Sequence, residues 1–252
     1  MTDEKRQLRA AMRELVAGKF GAMSARARAS AARRATDLAL RSPPFARAKL
    51  VLAFRALADE LDADLLALEL AKRGVRLAFP LVVDLPSDAT QGTSIPHEPM
   101  RALRLLAMDT ADPLNAEHWI RDRYGILAPN PESHFVHRVF PRDLDAVIVP
   151  GRAFDLRGAR LGRGKGFYDA LLARLRPDAR SATIGFVFES QIVERVPEAS
   201  HDRRVAWIAT EKRLRRATDP EAPARTAARE LTDADERPEA GCSEQSDEHP
   251  NL

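Results

Sequence analysis

At 252 residues and 44% hydrophobic side chains the chain is long enough for a buried core in one large or two small domains, and no apolar run approaches the roughly 18–20 residues that span a bilayer. Cys242 is the only cysteine, which argues against disulfides, a thiolate metal cluster and a buried cysteine nucleophile; with Met1-Thr-Asp-Glu-Lys-Arg leading straight into a charged helix, the cytoplasm is the expected location. The net charge is +3, but residues 213–252 hold six Arg against ten Asp and Glu, a balance of −4, so residues 1–212 carry +7 and suit an anionic ligand such as a nucleotide, a polyglutamyl chain or a nucleic acid.

Asp3 to Val16 places Leu8, Met12 and Leu15 at helical spacing, and Lys5 and Arg9 share a neighbouring face of that helix. Ser24 is the expected cap of a second helix that runs to Leu40 and closes at Ser42-Pro43-Pro44. Lys49 to Phe54 reads as a strand, Asp62 as the cap of a helix with Leu61, Leu65 and Leu68 inward and Gly74 at its end, and Val75 to Val83 as a strand interrupted by Pro80. That strand–helix–strand rhythm predicts a parallel sheet. Glu60 falls at the carboxyl end of the first strand, where open α/β sheets bind ligands, although a carboxylate there also suits a helix N-terminus.

Leu85 to Pro99 is polar and Pro-rich, an expected exposed loop; Arg101 to Met108 reads as a strand and Trp119 to Tyr124 as the end of a helix. His134 and His137 stand three apart between Pro131 and Pro141, with no cysteine or third histidine nearby, which points to a surface loop rather than a metal site. Ser181 to Phe188 and Val205 to Thr210 are further expected strands. From Arg213 onward Pro, Ala, Glu and Asp dominate without Val, Ile or aromatics, so a folded unit at 1–212 with a disordered tail at 213–252 is expected.

The most informative stretch is Pro150 to Asp169. Asp145-Ala-Val-Ile-Val149 is a buried strand by composition, Phe167 to Leu175 carries Leu171, Leu172 and Leu175 at helical spacing, and the loop between alternates Gly162, Gly164 and Gly166 with Arg163 and Lys165. Such a loop leaves amide N–H groups free near a helix start and adds the charges of Arg160, Arg163 and Lys165, an arrangement that suits phosphate, although composition alone fits a mobile, solvated Gly/Arg turn equally well. There is no Gly-x-x-x-x-Gly-Lys-Ser/Thr and so no P-loop, and no dinucleotide fingerprint, because Gly162-Arg-Gly164 has Phe167, not Gly, three residues on.

The whole string, Pro150-Gly151, Phe154-Asp155, Gly158, Arg160-Leu161-Gly162-Arg163-Gly164-Lys165-Gly166 and Tyr168-Asp169, closely resembles the signature of the 5-formyltetrahydrofolate cyclo-ligase (5,10-methenyltetrahydrofolate synthetase) family. The resemblance spans about residues 4–211 and is densest at 150–169 and 189–205. It implies a three-layer α/β/α sandwich with a mostly parallel sheet, and ATP-dependent conversion of 5-formyltetrahydrofolate to 5,10-methenyltetrahydrofolate with release of ADP and phosphate.

By that resemblance Lys5 and Arg9 contact ATP, together with Arg160, Leu161, Gly162, Arg163, Gly164, Lys165, Gly166, Phe167 and Tyr168. Folate contacts are implied for Arg55, Glu60, Arg163, Gly164, Lys165, Gly166 and Phe167, with Glu60 accepting the paired N–H donors of the pterin. Arg163 and Lys165 are the implied catalytic cations, and Asp169 and Asp202 the implied Mg²⁺ positions, although an isolated Asp more commonly closes an Asx-turn. A monomer or weak homo-oligomer is expected, with no membrane and no nucleic-acid partner. Ala128 and Ala206 stand where the family commonly has Glu and Asp. Two rival readings are a catalytically silent folate or nucleotide binder on the same scaffold, and an RNA-binding protein, which 6% aromatic content disfavours.

Overall fold

The computed structural model describes residues 3–84, 101–110 and 112–218. Helix α1 (Asp3–Gly21) opens the chain, and α2 (Ala25–Ala39) starts where the Ser24 hydroxyl accepts a hydrogen bond from the Ala27 N–H. Strand β1 (Leu50–Leu52), helix α3 (Asp64–Lys72) and strand β2 (Arg76–Asp84) form a parallel unit, with Gly74 turning the chain at φ 79°. Ala63, not Asp62, caps α3; Asp62 accepts from the Asp64 N–H in an Asx-turn. The inward face of α3 is Leu66, Ala67 and Leu70, so Leu65 and Leu68 are only half buried, one position away from the expected stripe.

Pro80 does not interrupt β2. The strand pairs antiparallel with β3 (Arg101–Met108) from Leu77 opposite Met108 to Asp84 opposite Arg101, while its pairing to β1 stops at Ala78. The missing N–H of Pro80 therefore falls where β2 has a single neighbour. The expected helix end at Trp119 is instead strand β4 (Trp119–Arg121), paired with β5 (Leu127–Pro129). Tertiary contacts decide this: the Trp119 ring meets Phe79 edge-on at 4.8 Å, its indole N–H donates to the Pro113 carbonyl, and Asp122 closes the turn by accepting from the Tyr124 and Ile126 N–H groups. His137 lies on edge strand β6 (Val136–Val139), exposed and 3.3 Å from Asp109, and His134 is exposed just before it.

Strand β7 (Ala146–Val149) is followed by a hairpin of β8 (Ala153–Phe154) and β9 (Arg160–Leu161), then α4 (Phe167–Leu172), α5 (Pro177–Arg180), β10 (Thr183–Phe186) and β11 (Trp207–Ala209). Residues assigned by sequence to a disordered tail supply β12 (Leu214–Arg216), antiparallel on β11. Backbone pairing and one buried side chain, Leu214, suffice there, and the Thr218 N–H reaches the Leu156 carbonyl. The tail beyond residue 218, and the 85–99 loop, lie outside the described residues.

The eight-stranded sheet runs β12-β11-β10-β7-β1-β2-β3-β6, with its five central strands parallel and its outer members antiparallel. Alternation along the buried strands builds two cores. Val51, Ile148 and Ile184 pack with α2 and α3 on one face, while Leu50, Leu52, Val147 and Val149 pack with Leu171, Leu172 and Ala179 of α4 and α5 on the other. The result is the expected three-layer α/β/α sandwich with a mostly parallel sheet.

Candidate active site

The loop after β7 is braced, not slack. Asp155 is fully buried and accepts from the N–H groups of Arg157, Ala159 and Val196 and from the Arg157 guanidinium, tying the hairpin to the 193–196 segment. Gly158 turns the hairpin at φ 83°, and a Cβ there would stand 2.1 Å from the Val205 carbonyl oxygen. Only glycine lets the two backbones touch. Two-residue strands carry no alternation, which is why the sequence showed a loop where a hairpin stands.

Beyond β9 the chain makes the glycine turn. Gly164 and Gly166 adopt φ 97° and 70°, whereas Gly162 serves another need: a Cβ there would lie 2.7 Å from an Arg160 guanidinium nitrogen. The N–H groups of residues 163–166 donate to no other described residue. Helix α4 has only six residues, so these open amides and the side-chain charges, rather than a long helix dipole, make the turn receptive to an anion.

A cleft of about 550 Å³ opens over this turn. At its charged end stand Lys5 and Arg9 from α1, the turn itself, and Asp169, His201 and Asp202. At its other end Phe54, Leu57, Pro80, Val82, Leu103, Ile126 and Leu127 make an apolar wall, with Arg55 and Glu60 between the two. All of the residues expected at the site from sequence therefore line one cavity. The Arg9 Nε–H donates to the Gly162 carbonyl at 2.9 Å, and Lys5 pairs with Asp202, 197 positions away. The apolar wall was not foreseen, because it is assembled by β2, β3 and the β4–β5 turn, whose antiparallel packing leaves no motif.

The charges are coupled. Glu60 is 9% exposed; burial raises its pKa, against the Leu57 N–H, which donates to it at 3.0 Å, and Arg163, which lies 3.2 Å away. Arg163 also pairs with Asp59. Burial acts to raise the pKa of Asp202, but Lys5 and the Ala199 N–H outweigh it and hold the carboxyl below its usual range. Arg55 pairs with Asp64 at 3.2 Å and lies 4.6 Å over the Trp119 ring. The Arg160 Nε and the Tyr168 hydroxyl are buried without a hydrogen-bond partner among the described residues, and burial pushes the Tyr168 phenol upward. Orphaned polar atoms in the wall of a cleft are what a polar ligand satisfies.

The sequence profile of the 5-formyltetrahydrofolate cyclo-ligase family matches residues 1–211. The chain belongs to that family. It is 26% identical to the mouse 5-formyltetrahydrofolate cyclo-ligase over 80% of this chain and 90% of that one, and 27% identical to the Escherichia coli K12 enzyme over 68% and 83%. Among solved structures, the Aquifex aeolicus 5,10-methenyltetrahydrofolate synthetase superposes with a TM-score of 0.63 at 28% identity, covering 86% of this chain and 97% of that one. A Mycoplasma pneumoniae 5,10-methenyltetrahydrofolate synthetase, 18% identical with a TM-score of 0.53 over 84% and 100%, shares the fold.

The two positions where the sequence was expected to depart from the family pattern, Ala128 and Ala206, lie off the cleft. Ala128 is fully buried on β5 against Leu81 and Leu106, and Ala206 precedes β11, its N–H donating to Thr183. The two positions expected to hold Mg²⁺ differ. Asp169 has both oxygens engaged, Oδ2 by Arg160 at 2.9 Å and Oδ1 by the Arg203 N–H at 3.2 Å. Asp202 gives Oδ2 to Lys5 and the Ala199 N–H, while Oδ1 meets, among the described residues, only His201, at 3.9 Å. No three His, Cys, Asp or Glu side chains gather to hold a metal among the described residues. One carboxylate oxygen fits Mg²⁺ that arrives with phosphate and water ligands; it would not hold a bare cation.

Proposed function

We propose that this chain uses ATP to close 5-formyltetrahydrofolate into 5,10-methenyltetrahydrofolate, releasing ADP and phosphate, as a cytoplasmic enzyme. The observation that carries the reading is the single cleft in which a glycine turn with open amides and basic side chains faces an apolar wall and a buried carboxylate. One end suits a triphosphate, the other a pterin and its benzoyl ring.

The formyl oxygen cannot leave as oxide, so it attacks the γ-phosphoryl; a new P–O bond forms and ADP departs. N10 then attacks the activated formyl carbon, loses its proton to solvent, and the C–O bond breaks as phosphate leaves. The chain's part is positioning and charge neutralisation. Lys165 and Arg163 meet the negative charge on the transferring phosphoryl, with the amides of residues 163–166 holding its oxygens. Lys5 and Arg9 hold the remaining phosphates. Asp169 keeps Arg160 aimed into the site, and Asp202 is the residue that would hold Mg²⁺, whose charge would offset that of the triphosphate. Glu60 accepts from the pterin N–H edge, Phe167 and the apolar wall cover its faces, and Tyr168 and Arg55 flank it.

The test is direct. Purified protein, Mg·ATP and 5-formyltetrahydrofolate should develop the absorbance of the methenyl product. Binding of both ligands with no absorbance change would make the chain a silent binder.

A further inference from the structure

Arg152 stands behind the cleft, outside its lining, and its backbone is clamped: its N–H donates to the Leu161 carbonyl at 2.8 Å and its carbonyl accepts from the Gln191 side-chain amide at 3.1 Å. Its side chain, 16% exposed, points one guanidinium nitrogen at Asp59 Oδ2, 3.7 Å away, while Nη1 is buried without a hydrogen-bond partner among the described residues. The other oxygen of Asp59 is the one paired with Arg163. Arg152, Asp59, Arg163 and Glu60 thus form a chain of alternating charge that starts in the hairpin and ends at the folate side of the cleft. Burial, together with the positive charges of Arg163 and Arg13, lowers the pKa of Arg152.

Arg163 is the shared member of this chain. In the arrangement seen it serves Asp59 and Glu60, yet the phosphoryl and the pterin need both ends of that contact released. How readily Arg163 leaves depends on how much of the Asp59 charge is satisfied from elsewhere. Arg152 is the residue placed to satisfy it.

We propose that Arg152 is a positioning residue for Arg163, acting through Asp59: by sharing that carboxylate it weakens the Asp59 hold on Arg163 and leaves the guanidinium able to swing to the phosphoryl. The catalytic consequence rests on the cyclo-ligase reading; the coupling itself does not. Without Arg152, Asp59 turns wholly to Arg163 and retains it.

The experiment has two arms, on the full chain. In ligand-free protein the ¹⁵N-detected Arg163 Nε–H signal, assigned by its loss in Arg163→Lys, should shift and exchange more slowly with water in Arg152→Gln. It should return towards the wild-type position in Arg152→Gln/Asp59→Asn. In turnover, Arg152→Gln should lower kcat by about tenfold with the KM for folate within about twofold, as misplacement of a reacting group does. Arg152→Lys should keep most of the rate, and Asp59→Asn should recover most of the loss, a rescue that a merely structural role for Arg152 would not show. An Arg163 signal unmoved by Arg152→Gln, or a kcat loss that Asp59→Asn leaves in place, overturns the proposal. If the wild type shows no turnover while the signal responds as described, the cyclo-ligase reading falls and the coupling is supported.

Discussion

The two ends of the cleft are built on different principles. At the glycine-turn end most cations already have an internal partner: Lys5 with Asp202, Arg160 with Asp169, Arg163 with Asp59 and Glu60. Lys165 differs, with no ion pair or hydrogen bond among the described residues. At the far end the lining side chains include Pro80, Val82, Leu103, Ile126 and Leu127, which carry no charged or hydrogen-bonding group, beside Asp122 and Tyr124 of the β4–β5 turn. A ligand entering the first end exchanges one partner for another, so its effect depends on which charge is already committed. At the second end a ligand simply removes apolar surface from water.

The sharpest way to break that contrast is Lys165→Ala. An uncommitted cation facing a transferring phosphoryl should be worth about 2.7–4 kcal/mol, a fall in kcat of about a hundred- to thousandfold, with the folate KM little changed. Near-normal turnover would remove Lys165 from the mechanism. Lys5→Ala should act more weakly and on binding: loss of a charge-assisted contact worth about 1.5–3 kcal/mol raises the KM for ATP by about ten- to a hundredfold. Because Lys5 and Asp202 are 8% and 14% exposed, that variant also leaves a carboxylate poorly solvated, and a lowered melting temperature should accompany the kinetic change. Leu103→Ala tests the other end. Removing part of an apolar contact worth about 1–2 kcal/mol should raise the folate KM by about tenfold and leave the ATP KM unchanged. Equal effects on both substrates from Leu103→Ala would dissolve the distinction between the ends.

The same contrast explains what could be read ahead of the fold. The charged end is recorded in consecutive residues, Arg160 to Asp169, and its distant members, Lys5, Arg9, Glu60 and Asp202, were located by resemblance to a known pattern; all of them do line the cleft. Their pairing was not legible, since Arg163 and Asp59 are 104 positions apart and nothing local says that a phosphate-facing arginine rests on an acidic pair. The apolar wall left no trace at all: Leu103 and Val82 look like any strand residues until β2 and β3 pair. Trp119 misled for a related reason, because its strand is decided by Phe79 and Pro113, and β12 was missed because a backbone ladder asks little of side-chain composition. Short-range patterning revealed the α/β rhythm; long-range pairing decided the rest.

The smallest effect concerns Glu60, which joins the two ends. Burial is the largest influence on its carboxyl and raises it above 4.5, its ordinary value, even with the Leu57 N–H and Arg163 opposing. An acid whose pKa is raised by folding adds stability below its unfolded value, and that contribution is lost as the pH climbs through the raised one. At neutral pH the carboxylate is therefore held in the fold at a cost, as a site built to accept a pterin edge would require. Glu60→Gln should melt higher than the wild type at pH 7 by about 1–2 °C, with the advantage shrinking as the pH falls towards 4.5. The same variant should bind folate less well at every pH, since an amide puts one acceptor oxygen and one donor NH2 where a pterin edge with two N–H donors needs two acceptor oxygens. A melting difference that stays constant across that range would mean that Arg163 satisfies Glu60 in full, and that the carboxylate is structural rather than waiting for a ligand.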